Sequence, residues 1–160
     1  MVQFPSSLSR AESEFVLAQI EAGFERNGFG IWAVETLADT TFIGLTGLSV
    51  VPFAAHFTPA VEVGWRLLPA AWGHGYATEA ASAALEFGFG PAGLAEIVSF
   101  ASASNTRSIA VMDRLQMKRD PAEDFDHPMI EPGHPLTPHV LYRLSPSQWQ
   151  AAKAAQPAAS

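Results

Sequence analysis

The run from Glu62 to Ala80 constrains this chain more than any other part of it. Glu62-Val63-Gly64-Trp65-Arg66-Leu67 has the aliphatic and aromatic character of a strand, and Pro69 stops it. Trp72-Gly73-His74-Gly75-Tyr76 follows, after which Ala77, Ala80, Ala81, Ala84, Leu85 and Gly88 recur on one helical face. That face is nearly all small residues, so the helix can lie close against a sheet until Pro91 and Gly93 close it. A strand, a glycine turn and a helix in succession aim backbone N–H groups and a positive helix end at one point. Such a point suits phosphate oxygens. Gly73 and Gly75 let a ligand approach the backbone, and Ala77 keeps the first helical turn uncluttered.

Two phosphate-binding classes are excluded by the details. A dinucleotide fold requires a third glycine and an acidic residue at the end of the next strand, whereas Glu96 lies at the wrong end. A Walker loop requires Lys-Ser or Lys-Thr after its last glycine, and Tyr76-Ala77 stands there instead.

The flanking pattern supplies the rest of an α/β domain. Ser9-Arg10-Ala11-Glu12 has the form of a capping box, Val16, Ile20 and Phe24 keep helical spacing, and Asn27-Gly28 is a stop. Ile31–Glu35 and Phe42–Val50 read as strands joined by the polar turn Ala38-Asp39-Thr40, hence an antiparallel hairpin. Residues 96–101 predict a strand, 105–115 a second helix, 120–138 a proline-rich loop and 140–144 a short final strand. The expected fold is a mixed, mainly antiparallel sheet flanked by helices on both faces, with one strand-helix-strand crossover. A single domain spans residues 1–150, and 151–160 form a flexible Ala-rich tail.

Composition narrows the partners. At 160 residues and 48% hydrophobic content, one core is affordable. A net charge of −7 argues against nucleic acid and favours cationic ligands such as amines as a weak field effect. The absence of cysteine excludes disulfides and thiolate chemistry. Met1 to Ser9 has no basic-then-apolar export pattern, which makes cytoplasmic the default location. Between Asp39 and Glu62 no charged residue occurs, but Gly44, Gly47, Pro52, His56 and Pro59 break the run into strands and a loop rather than a membrane span.

Together, Glu62-Val-Gly-Trp-Arg-Leu and Trp72-Gly-His-Gly-Tyr-Ala-Thr-Glu-Ala resemble the GNAT acetyltransferase superfamily, and most closely its RimJ and RimL ribosomal-protein N-acetyltransferase type. Asn105-Thr106-Arg107-Ser108 and Val111-Met112-Asp113-Arg114-Leu115 form a second matching block in the right order. The resemblance implies acetyl-CoA as co-substrate and transfer of acetyl to a primary amine by direct attack. A protein N-terminal amine and a small-molecule amine are both open as acceptors.

Residue by residue, the resemblance assigns Trp65, Arg66 and Leu67 to pantetheine and acetyl contacts along a splayed strand. It assigns Gly73, His74, Gly75, Tyr76, Ala77 and Thr78 to the pyrophosphate. Trp72 stands where the family usually has Arg or Gln, which shifts the expected binding onto backbone amides. Asn105 would bond the pantetheine arm. Arg107 is favoured over Arg114 for the phosphates, the alternative being a solvated helix face. Glu62 would act as base, and Ser108 would protonate the leaving thiolate. The bland alternatives are a solvent-facing strand residue for Glu62, a helix-start hydroxyl for Ser108, and core anchors for Trp65 and Trp72.

Several departures from the pattern bear on function. Met112 replaces a tyrosine that many members use as acid, and Gln116 replaces the glycine that ends the helix. Family members also begin with a strand and helix ahead of the segment matching Ser9. Here the usual first strand is expected to be missing, with either a truncation or a partner chain (a homodimer among the options) at that sheet edge. Met112 and the short front keep a non-catalytic acyl-CoA-binding module as the rival reading. His127, His134 and His139 invite a metal hypothesis, yet their spacing matches no standard site, so no metal is expected.

Overall fold

The computed structural model describes residues 8–156. Residues 1–7, on which most of the export-signal reading rests, and residues 157–160 of the Ala-rich run lie outside them. The first helix, α1 (Arg10–Asn27), starts as its sequence predicts. Ser9 Oγ accepts from the Glu12 amide at 3.3 Å, and the Glu12 carboxylate accepts from the Ser9 amide at 2.7 Å. Gly28 ends it at φ 73°, a left-handed conformation that glycine adopts without strain. No residue of α1 is buried. The helix packs through Phe24, whose ring meets Trp32 edge-on at 5.4 Å, and Trp32 meets Phe87 in the same way at 5.3 Å.

The sheet comprises β1 (Ile31–Glu35), β2 (Phe42–Val50), β3 (Val61–Leu67), β4 (Ile97–Ser102), β5 (Lys118–Arg119), β6 (Phe125–Asp126) and β7 (Pro138–Leu144). Its order is β1-β2-β3-β4-β7-β5, with β6 also paired to β7. Every pairing is antiparallel except β3 with β4. β1 and β2 form the expected hairpin, and their approach depends on Gly47, where a Cβ would stand 2.2 Å from the Gly30 carbonyl oxygen.

Alternation along the strands sorts the core into two layers. Ile97, Ala101, Val140, Tyr142 and Leu144 join Val63 and Leu48 on one face. The helices α2 (Tyr76–Phe89), α3 (Thr106–Arg114) and α4 (Pro146–Ala155) cover that face with Ala81, Ala84, Leu85, Val111, Met112, Trp149 and Ala152. Val98 and Leu141 point the other way, onto Val51 and Phe57. Among the described residues no helix joins this second cluster; Phe53, Ala55, Ala60 and Phe125 cover it instead. The expectation of helices on both faces is therefore corrected: loops 51–60 and 120–138 take the second face, because their phenylalanines supply the apolar cover.

Two further readings change. The run from Ala151 to Ala155 is not a frayed tail but the second half of α4. Ser145 and Gln148 form a capping box like the one at Ser9, Trp149 and Ala152 are buried, and Glu86 of α2 accepts from Trp149 Nε1 at 2.9 Å and Lys153 Nζ at 2.8 Å. The proline-rich loop holds a 3-10 turn (Pro121–Glu123) and strand β6, and the final strand begins at Pro138. Arg143 ties this segment down, donating to Glu123 at 2.7 and 2.9 Å and to Glu96 at 2.8 Å. Among the described residues no helix is long and apolar enough to cross a membrane.

Candidate active site

β3 and β4 are parallel neighbours that share a single bridge, Glu62 with Val98. One residue further on, the buried Ser99 hydroxyl donates to the Val63 carbonyl at 3.0 Å. Beyond that clip the strands part. β3 stays in register with β2 as far as Leu67, while β4 follows β7 as far as Ser102. Trp65, Arg66 and Leu67 lie on the parted half of β3, partly exposed. Backbone groups along that edge have no ladder to β4, and such groups require partners.

The cleft opens toward the glycine turn. After Leu67 the chain makes a 3-10 turn (Pro69–Ala71), passes through Trp72 and enters α2 at Tyr76. Gly73 and Gly75 both have φ +79°, and a Cβ at either would meet no protein atom within 4 Å. The glycines are thus demanded by backbone conformation, and the space above them is open. Gly75 is the N-cap of α2 and no side chain caps this end. The first-turn amides of Tyr76, Ala77 and Thr78 face outward, as they must at any helix start. Thr78 Oγ1 is a buried polar atom with no hydrogen-bond partner. Uncapped amides, open space and an orphaned hydroxyl fit a pyrophosphate. His74 is exposed, its ring 5.4 Å from that of Tyr76.

A second contact joins this turn to α3. Trp72 donates its indole N–H to the Leu67 carbonyl at 3.0 Å, and the Arg107 guanidinium lies 4.1 Å from the centre of the Trp72 ring. Asn105 is the N-cap of α3, its Oδ1 accepting from the Ser108 amide at 3.2 Å. That oxygen is committed to the helix, which leaves the Asn105 amide nitrogen as the donor for a ligand. Ser108 is half-buried one turn into the helix, and Met112 is wholly buried in the helix-side core.

Glu62 is not the solvent-facing residue that the bland reading would make it. It is 7% exposed and accepts from Ser49 Oγ at 3.1 Å. It alternates with Val61 and Val63, so it points to the loop-covered face. Ser108 belongs to α3 on the opposite side. The two candidate catalytic groups therefore lie on opposite faces of the sheet, whereas Trp72 and Arg107 are brought into direct contact.

Sequence reasoning missed a basin on the face that Glu62 shares. Phe53, Phe57, Phe100 and Phe125 stack with centroid separations from 5.0 to 6.3 Å. Into this stack the rings of His127 and His139 insert, 4.8 Å apart. Burial, and then the neighbouring His139, push the His127 pKa down to about 4; burial lowers that of His139 as well. His127 Nδ1 accepts from the Met129 amide at 3.2 Å, which puts the proton of the neutral ring on Nε2. His139 Nδ1 lies 3.1 Å from the Thr137 carbonyl, so it carries its own proton on Nδ1. The third histidine, His134, accepts from Leu136 instead. Among the described residues no group of three His, Asp or Glu side chains gathers as a metal site. The only sequence signal for the basin was the density of phenylalanine and histidine in two separate loops.

Comparison with known proteins bears on the family and the fold. A family model described as acetyltransferase (GNAT) domain matches residues 1–118. FsC-acetyl coenzyme A-N(2)-transacetylase of Aspergillus fumigatus is 36% identical over 89 residues, covering 53% of this chain and 37% of its own length. The chain spans about half the length, or less, of the curated relatives it matches. An acetyltransferase structure from Agrobacterium tumefaciens is 27% identical with TM-score 0.67, covering 88% of this chain and 74% of that one. Ribosomal-protein-S5-alanine acetyltransferase from Vibrio fischeri, at 18% identity and TM-score 0.70, covers 89% and 78% and shares the fold. The splayed strands, the glycine turn and the family match over most of the chain lead to one conclusion: this protein belongs to the GNAT acetyltransferase family.

Proposed function

We propose that the protein transfers an acetyl group from acetyl-CoA to a primary amine. The observation that carries this reading is the uncapped glycine turn at the mouth of a cleft between two parted parallel strands. Such a site holds a long ligand by backbone groups at both ends. The pyrophosphate meets the amides of 76–78, and the arm follows the β4-facing edge of Trp65, Arg66 and Leu67 where the two strands part. The co-substrate supplies the thioester on which the amine acts directly. Glu62, buried on the loop side, takes the proton from the attacking amine, directly or through water. Ser108 or water returns a proton to the thiolate, since the buried thioether of Met112 has none to give. The RimJ/RimL type of acceptor, a protein N-terminal amine, is the first to try; a small-molecule amine is the second.

The buried Met112 is also the observation that favours a second reading, an acyl-CoA-binding module without turnover. One experiment separates them. CoA should raise the melting temperature, and acetyl-CoA with a panel of amines and N-terminal peptides should release free thiol. Stabilisation without thiol release on any acceptor supports the binding module. No stabilisation at all removes both readings.

A further inference from the structure

We propose that Arg107 is the phosphate-binding cation of this site and that the Trp72 indole positions it there. The proposal deepens the acetyl-CoA reading above and rests on it. Its first support is geometric. The guanidinium carbon sits over the indole, 4.1 Å from the ring centre, a separation at which the ring's negative face attracts it. The indole is fixed in turn, because its N–H donates to the carbonyl of Leu67, the last residue of β3, at 3.0 Å. Trp72 cannot swing away without giving up that bond.

Electrostatics is the second support. Arg107 is the second residue of α3, where the positive end of the helix disfavours a cation, and no acidic residue stands in that first turn. Among the described residues no carboxylate pairs with it. Arg107 is exposed, its ring contact is with Trp72, and among the described residues no protein group accepts from its N–H donors. An anion at the neighbouring turn would satisfy them. A guanidinium suits a phosphate group in particular, through paired N–H donors. The indole therefore does two things: it holds the charge against the local field, and it limits the rotamers that Arg107 would otherwise lose on binding.

The test measures the affinity of CoA and of 3′-dephospho-CoA for the whole chain by calorimetry at several salt concentrations. Arg107→Gln should weaken CoA by about tenfold or more, the usual scale for one charge-assisted contact. Trp72→Leu should weaken it comparably in the presence of Arg107 and add little to the Arg107→Gln variant. Trp72→Phe keeps an aromatic face and should lose less. Both Arg107→Gln and Trp72→Leu should also flatten the salt dependence of binding, which a merely structural tryptophan would leave as it was. A loss with both ligands assigns the pyrophosphate, and a loss with CoA alone assigns the 3′-phosphate. Affinity and salt slope unchanged in Arg107→Gln overturn the proposal, as do losses in the two single variants that simply add. If the unsubstituted protein binds no CoA, the acetyl-CoA reading itself fails, a result distinct from any difference between variants.

Discussion

Glu62 and Ser49 share a hydrogen bond inside the sheet, so replacing the carboxylate by its amide keeps the shape and removes the proposed base. Glu62→Gln should lower turnover by roughly a hundredfold or more, the usual range for a general base, while CoA affinity stays the same. An unchanged rate in a thiol-release assay removes Glu62 from the chemistry. Gln116 offers a test of a different kind. It has φ 58°, and its amide reaches the Asp113 carbonyl while that of Met117 reaches Met112, the bond pattern of a left-handed helix stop. A side chain in that conformation costs about 1 kcal/mol relative to glycine, so Gln116→Gly should stabilise by up to that amount in a denaturant titration. The family resemblance flagged this position from sequence alone. It could not flag the contact between Trp72 and Arg107, because the side-chain conformation that joins residues from two elements is not written in either local sequence.

At the scale of elements, the hairpin of β1 and β2 turns on one close approach. A methyl at Gly47 would press on the Gly30 carbonyl and the Ile31 backbone, neither of which can give without parting the strands. Gly47→Ala should therefore destabilise by about 1–3 kcal/mol, the ordinary range for overpacking, and more if the pairing slips; thermal unfolding measures it. The hairpin was fully legible because two strand-like runs flank a polar turn, and its limits emerge as read. The start of α4 is equally legible, since Ser145-Pro146-Ser147-Gln148 carries the same cap signature as Ser9 to Glu12, but the alanines after it read as a tail. β5 and β6 were not legible, since two-residue strands have no period to detect and exist only because β7 pairs with them. The aromatic basin was hidden for a related reason. Phe53, Phe100, Phe125 and His139 come from different segments, and only the folded sheet places them side by side.

For the molecule as a whole, the two histidines in that basin set an acid limit. Unfolded, their pKa values return to about 6.5; folded, that of His127 is lowered to about 4 and that of His139 is lowered too. Over that interval the unfolded chain binds more protons, so stability is complete above about pH 6.5 and declines as pH falls toward 4. Glu123 and Asp124, held low chiefly by hydrogen bonds from Arg143 and Arg119, lose their share only at more acidic pH. Melting temperature should already fall between about pH 7 and pH 5, and His127→Phe should flatten that slope. An equally steep slope in the variant would place the acid sensitivity elsewhere. The parted strands have a consequence on the same scale. Three strands on one side of the cleft and four on the other are joined across β3 and β4 by one bridge and one serine clip, so the sheet is a nearly severed ribbon. A ligand lying in the gap would act as an additional strand and suture the halves, and the donor of the proposed reaction would then complete the architecture. Amide exchange along residues 65–67 and 99–102 should slow together when CoA is added and recover together when it leaves.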